Sequence, residues 1–154
     1  MSEANTLEKP LLAEAKFRDP QLTANGEIRA SVHLTELKTL WFNTGTLCNL
    51  TCSNCYIESS PTNDRLVYLT ISEVTAFLDE LDYEGSYLEE VAFTGGEPFM
   101  NPDLVAMAAV SLERGYRVLI LTNAMRPMLK CADDLLKLQA QHGDRLTLRV
   151  SLDH

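Results

Sequence analysis

From Leu37 onward, apolar and polar positions alternate between two periods, and the order repeats. Leu37 to Phe42 predicts a short strand, followed by a long polar loop to about Tyr68. Thr70 with Glu73 three residues on is a capping-box signature, so a helix should start there. Val74, Phe77, Leu78 and Leu81 recur at i, i+3, i+4 and i+7, which puts them on one helix face and predicts core packing. Gly85 ends that helix. Glu90 to Phe93 predicts a second strand running into Thr94-Gly95-Gly96-Glu97-Pro98. Asn101 and Pro102 suit the N-cap and first turn of a helix that stops near Gly115. Arg117 to Leu121 is a strongly apolar strand ending in Thr122-Asn123. A helix from about Leu129 to Gln141, closing at Gly143, precedes a fourth strand from Leu146 to Leu152.

Strands alternating with helices predict an α/β fold built on a parallel sheet. Crossovers of this length are right-handed in nearly all cases, so the strands should lie side by side in order. Sites in such sheets and barrels form at the C-terminal strand ends. Polar or glycine residues fall at each of those ends, in the cysteine loop, at Gly95-Gly96-Glu97, at Thr122-Asn123 and at Ser151-Leu152-Asp153. Residues 1–36 carry only a turn signal at Asn25-Gly26 and a weak extended run from Glu27 to Leu34. They are expected to form an N-terminal extension ahead of a core domain over 37–154.

Composition narrows the class. Of the 154 residues, 45% are hydrophobic, enough for a globular unit with an apolar core. The net charge of −9 and the lack of a Lys/Arg stripe argue against a nucleic-acid partner. No apolar run approaches the roughly 20 residues that a bilayer crossing needs. Met1 to Arg18 shows no signal-peptide pattern, so the expected address is cytoplasmic. In that reducing compartment, cysteines are read as metal ligands or free thiols before disulfides.

Cys48, Cys52 and Cys55 form C-x3-C-x2-C. An ordinary [4Fe–4S] cluster takes four thiolates, one per iron. Three close thiolates can hold three corners and leave one iron open, as catalytic zinc leaves one position open. Other readings stand beside this one. Structural zinc would draw a fourth ligand from His33, His142, His154 or Cys131, none of them at a familiar spacing. A fully ligated electron-transfer cluster would need Cys131. Three free thiols are also compatible with the spacing.

The chain resembles the radical S-adenosylmethionine superfamily. The likeness rests on C-x3-C-x2-C after the first strand and Gly95-Gly96-Glu97-Pro98 after the second, with Thr122-Asn123 and Ser151-Leu152-Asp153 at the later strands. Cys48-Asn49-Leu50 and Cys55-Tyr56 are similar to the branch that holds the molybdenum-cofactor cyclase and the peptide-modifying and sulfatase-maturing enzymes. Trp41 and Ala92 stand where that cyclase would carry basic residues, which argues against that enzyme. Trp41 itself is expected to pack beside the cluster loop, and Glu58 to be solvated.

The resemblance implies a partial (β/α) barrel of parallel strands, with about four of six βα units present over Leu37 to His154. It implies that Cys48, Cys52 and Cys55 ligate a [4Fe–4S] cluster whose open iron binds S-adenosylmethionine. Gly95, Gly96 and Glu97 would line the methionine end, and Thr122 and Ser151 would contact the cofactor or substrate. Asn54 stands where the family usually has an aromatic residue whose backbone meets the adenine. Reductive cleavage would give a 5′-deoxyadenosyl radical that abstracts hydrogen from a peptide or small-molecule substrate, with the electron coming from a low-potential donor. Ending directly after a strand, the chain reads as the N-terminal fragment of a longer oxidoreductase-type enzyme. The opposing class is a metal-binding or electron-transfer protein without catalysis.

Overall fold

A computed structural model describes residues 19–33 and 35–152. Residue contacts divide the chain between Thr35 and Glu36. In the first unit, Asn25-Gly26 sits in a turn closed by Gly26 N donating to Thr23 O at 2.9 Å. Among the described residues of that unit, one antiparallel bridge pairs Leu22 with Ile28. Residues 1–18 and Leu34 lie outside the described residues, as do Asp153 and His154.

The second unit runs β1 (Thr39–Asn43), α1 (Ile71–Glu84), β2 (Glu90–Thr94), α2 (Leu104–Glu113), β3 (Arg117–Thr122), α3 (Arg126–Leu129), α4 (Ala132–His142) and β4 (Leu146–Val150). Short 3-10 turns fill Pro98–Met100 and Gly143–Arg145. All pairings are parallel, and the sheet order is β1-β2-β3-β4.

Register explains the core. Phe42, Phe93, Ile120 and Leu148 form one row across the sheet, and Leu40, Val91, Val118 and Leu146 form another. Phe42, Val91, Phe93, Val118 and Ile120 belong to the buried apolar cluster, with Leu40, Leu146 and Leu148 packed against it. The cluster also takes Val74 and Leu78 of α1, Met107 and Leu112 of α2, and Leu135 and Leu138 of α4. The helices therefore pack on a single sheet face. Sequential strand order with crossovers of one hand has this result, whereas a doubly wound sheet reverses its order and carries helices on both faces. The architecture is a partial β/α barrel, as expected. Alternation sends Trp41, Ala92, Leu119 and Thr147 to the opposite face. Trp41 is exposed there.

Two boundaries and one core position differ from the sequence expectation. Thr70 and Glu73 form the capping box and Gly85 caps α1, but Phe77 is 52% exposed and only borders the core through its ring contact with Phe42. Asn101 is not the N-cap of α2. Pro98 starts a 3-10 turn that uses up the expected first turn, and α2 begins two residues beyond Pro102 with Asp103 at its N-cap. Asn101 instead ties loops together, its amide donating to Thr44 O at 3.1 Å and Leu69 O at 2.8 Å. The expected helix over 129–141 is broken at Lys130-Cys131. Pro127 seeds a separate four-residue helix upstream, and Cys131 caps α4.

Candidate functional site: the cysteine cavity

The loop after β1 is stapled to the loop after β2 before any cysteine is reached. Thr44 donates to Thr94 O through both its backbone N, at 2.8 Å, and its hydroxyl, at 2.9 Å. Gly96 N donates to Gly45 O at 2.9 Å, and Glu97 N to Leu47 O at 3.0 Å. This contact is so close that a Cβ on Gly96 would stand 2.6 Å from the Leu47 carbonyl carbon and nearer still to its oxygen. At Gly95, φ is +144°, and a Cβ would meet Gly45 O at 2.6 Å. Glycine is required at both positions by the neighbouring chain itself.

The cysteine loop closes on itself further along. Cys48 N donates to Ser60 O at 3.1 Å beside a parallel bridge between Leu47 and Ser60. Thr46 Oγ1 donates to Asn63 O and accepts from Leu66 N, both at 3.1 Å. Glu58 turns the chain with φ +54°. Its exposed carboxylate faces Arg65 at 3.2 Å.

Cys48, Cys52 and Cys55 all line one cavity of about 260 Å³, together with Asn54, Gly95, Gly96, Thr122 and Ser151. The cavity sits where the C-terminal ends of the strands meet the cysteine loop. Thr94, Leu121 and Asn123 complete that rim, with Leu50, Tyr56 and Ser59 from the loop. Leu121 was findable from the inward alternation of β3. Ser59 carries no signal in its own neighbourhood of the sequence.

Glu97 stands apart from the other expected site residues. It does not line the cavity and is only 2% exposed. Its carboxylate accepts from Thr122 Oγ1 and Asn123 N, both at 2.8 Å, and from Phe99 N at 3.2 Å. Those bonds join the ends of β2 and β3, so Glu97 shapes the rim from beneath. Asn123 carries the tie onward, its amide reaching Asn49 Oδ1 at 3.0 Å and Cys48 Sγ at 3.9 Å. Asp153 lies outside the described residues.

The thiols differ electrostatically. Burial pushes Cys48 up; the nearby Glu97 and Cys55 add to the rise, and N–H donors, including Leu50 N at 3.4 Å, oppose it. Burial would raise Cys55 too, but the N–H groups of Ser59, Ile57 and Glu58 outweigh it and hold the thiol below its ordinary value. Ser59 N lies 3.3 Å from Cys55 Sγ. The Ser59 hydroxyl adds to this lowering from nearby without reaching hydrogen-bond geometry.

None of the four cysteines is in a disulfide. Among the described residues, no three His, Cys, Asp or Glu side chains converge closely enough for a single metal ion. Zinc would need its thiolates all about 2.3 Å from one point. A cluster takes each thiolate on a different iron, so sulfurs spread around one cavity suit it better. Cys131 is not among the cavity's lining residues and packs against the apolar core at the start of α4. The donor set at the cavity is therefore three thiols, which fits a cluster with one corner left to another ligand.

Known proteins match this chain. The profile of the Radical SAM superfamily covers residues 42–153. Fe-coproporphyrin III synthase of Methanosarcina barkeri (strain Fusaro / DSM 804) is 38% identical over 76 residues, 49% of this chain and 18% of that protein. The antilisterial bacteriocin subtilosin biosynthesis protein AlbA of Bacillus subtilis (strain 168) is 33% identical over 106 residues, 69% of this chain and 22% of that protein. The chain thus spans about a fifth of the length of these two relatives. The crystal structure of Streptococcus suis SuiB bound to S-adenosylmethionine superposes with a TM-score of 0.59 at 20% identity, over 76% of this chain and 25% of that one. That likeness is one of fold.

Proposed function

The chain belongs to the Radical SAM superfamily, and from that premise we propose that it holds a [4Fe–4S] cluster through Cys48, Cys52 and Cys55 and binds S-adenosylmethionine beside it. The observation that carries this reading is the single cavity shared by the three thiols, Gly95, Gly96, Thr122 and Ser151. Once bound, the pair supplies one-electron cleavage of the sulfonium to a 5′-deoxyadenosyl radical, for hydrogen abstraction from a peptide or small-molecule substrate.

The chain's own residues set the conditions for that chemistry. Leu50 N and Ser59 N point at Cys48 Sγ and Cys55 Sγ, favouring thiolate and tuning any bound iron. The backbone of Gly95 and Gly96 has no side chain between it and the cavity; with the Gly96 N–H given to Gly45 O, it is their carbonyl oxygens that this backbone offers to an amino-acid moiety. Asn54 offers its backbone to the adenine end, and Thr122 and Ser151 bring β3 and β4 to the far side. The Thr122 hydroxyl is already given to Glu97 as a donor, so it meets a ligand as an acceptor. Leu121 and Leu50 supply apolar wall, which helps keep water from a reactive intermediate. A low-potential one-electron donor and a reducing, cytoplasmic setting belong to the same proposal. Among the described residues, no helix is long and apolar enough to cross a membrane.

Anaerobic reconstitution with iron and sulfide tests the reading. The reduced protein should give a [4Fe–4S] electron paramagnetic resonance signal that changes when S-adenosylmethionine is added. Alanine at Cys48, Cys52 or Cys55 should abolish iron retention, while Cys131→Ala should keep it. A signal indifferent to S-adenosylmethionine, or loss of iron in Cys131→Ala, would mean a fully protein-ligated centre and defeat the proposal.

A further inference from the structure

The Ser59 hydroxyl is a buried polar group that the roles above leave unused. Ser59 is 4% exposed and lines the cysteine cavity. Among the described residues, its Oγ is the one buried side-chain oxygen or nitrogen without a hydrogen-bond partner. Leaving a hydroxyl buried and unpaired is costly, so native structures seldom keep one without a use.

The surrounding loop is built to hold that hydroxyl where it is. Ser59 N donates to Cys55 Sγ at 3.3 Å, which fixes the residue against one particular thiol. The next residue is clamped to the loop's entry by Cys48 N donating to Ser60 O at 3.1 Å. The residue before it, Glu58, adopts the left-handed region at φ +54°. That conformation is disfavoured for a residue with a Cβ. It is held by Glu58 N donating to Cys55 O at 3.1 Å and Asn63 Nδ2 donating to Glu58 O at 2.8 Å. The reversal at Glu58 brings Ser59 back against Cys55. Strain held in place by specific bonds, next to a candidate ligand, is the pattern expected of a tuned site.

We propose that Ser59 donates its hydroxyl hydrogen to the sulfur of cluster-bound Cys55 and thereby raises the reduction potential of the cluster. The inference rests on the cluster reading of the three cysteines and goes beyond it by assigning a determinant of potential. Taking up one electron puts more negative charge on the cluster and its thiolates. A donor aimed at a ligating sulfur is then stronger in the reduced state than in the oxidised one, and favours reduction. Among the cavity's side chains, Ser59 has the free donor closest in sequence to a cysteine whose sulfur it already meets through its backbone. It acts on the ligand, as a tuning residue.

The test uses the full chain, reconstituted anaerobically, as wild type, Ser59→Ala and Ser59→Thr. Iron and sulfide content are measured first, and midpoint potential follows by redox titration read by electron paramagnetic resonance. Ser59→Ala should retain the cluster and titrate at more negative potential. Its reduced-to-oxidised ratio at a fixed potential should fall roughly tenfold, the weight of one hydrogen bond to a charged group. Ser59→Thr, which keeps the hydroxyl, should titrate with the wild type. Loss of the cluster in Ser59→Ala alone overturns the proposal, because the hydroxyl would then hold the cluster in place rather than set its potential. An unshifted potential in Ser59→Ala overturns the proposal, and so do equal shifts, or loss of the cluster, in both variants, because each traces the effect to packing. A wild-type chain that takes up no iron overturns the cluster reading itself, and that result is visible before any variant is compared.

Discussion

Side chains at the rim divide into those that face the cavity and those that hold it up. Glu97 is of the second kind, although its place beside the cysteines suggests the first, and the backbone of Gly96 does both. Gly96 lies against the Leu47 carbonyl, two backbones that must touch for the cysteine loop to sit over β2. Gly96→Ala is therefore expected to destabilise the protein by more than about 4 kcal/mol, because the obstacle is backbone and cannot rotate away. Chemical denaturation of the cluster-free chain measures this, and a loss below about 1 kcal/mol would show that the two loops can part cheaply. Glu97 reaches Thr122 and Asn123 across 25 and 26 residues of sequence. Its acidic character serves the join between β2 and β3. The motif was legible in the sequence; which of its members would face inward was not, since side-chain direction at a turn depends on the partner strand.

At the scale of elements, local signals worked where the element's ends are closed locally. The capping box at Thr70 and Glu73 and the C-cap at Gly85 bound α1 as expected. Thr70→Ala should cost about 1 kcal/mol in stability. The box also has a pH signature. The Thr70 backbone N–H and hydroxyl hold the Glu73 carboxyl below its ordinary value. A carboxyl depressed in the folded state stabilises the fold when ionised, so its contribution is present above the unfolded value and fades as pH falls through the folded one. Glu73→Gln keeps the reciprocal bond but removes the titration. The stability difference between wild type and Glu73→Gln should shrink as acid is added below about pH 4; a difference independent of pH from 2 to 7 would refute this. Local signals failed at α2 and at the helix after β3. There Pro98 and Pro127 start short turns of their own, and the register of each following helix is set by what it packs on. Cys131 thus moves from an expected helix interior to the N-cap of α4.

For the molecule as a whole, the arrangement of helices on one sheet face follows from strand order and crossover hand. β2 and β3 are the inner strands of the sheet, paired on both sides, and carry Val91, Phe93, Val118 and Ile120 with no exposed surface. Their amides should be the last to exchange with deuterium, with β1 and β4 exchanging faster. Equal protection across all four strands would mean that further contacts cover the edges. Sequence alone determined the βα alternation, the parallel sheet in consecutive order and the three cysteines on the loop after the first strand. These rest on period, turn chemistry and spacing, which neighbours along the chain encode. Only the tertiary structure decided that Gly96 answers to Leu47, that Glu97 turns beneath the rim and that Ser59 comes to lie unpaired beside Cys55. The first two depend on contacts between segments brought together only once the sheet has formed. The third depends on a strained reversal at Glu58, where a residue with a Cβ occupies a conformation that its own type disfavours and that the surrounding bonds impose.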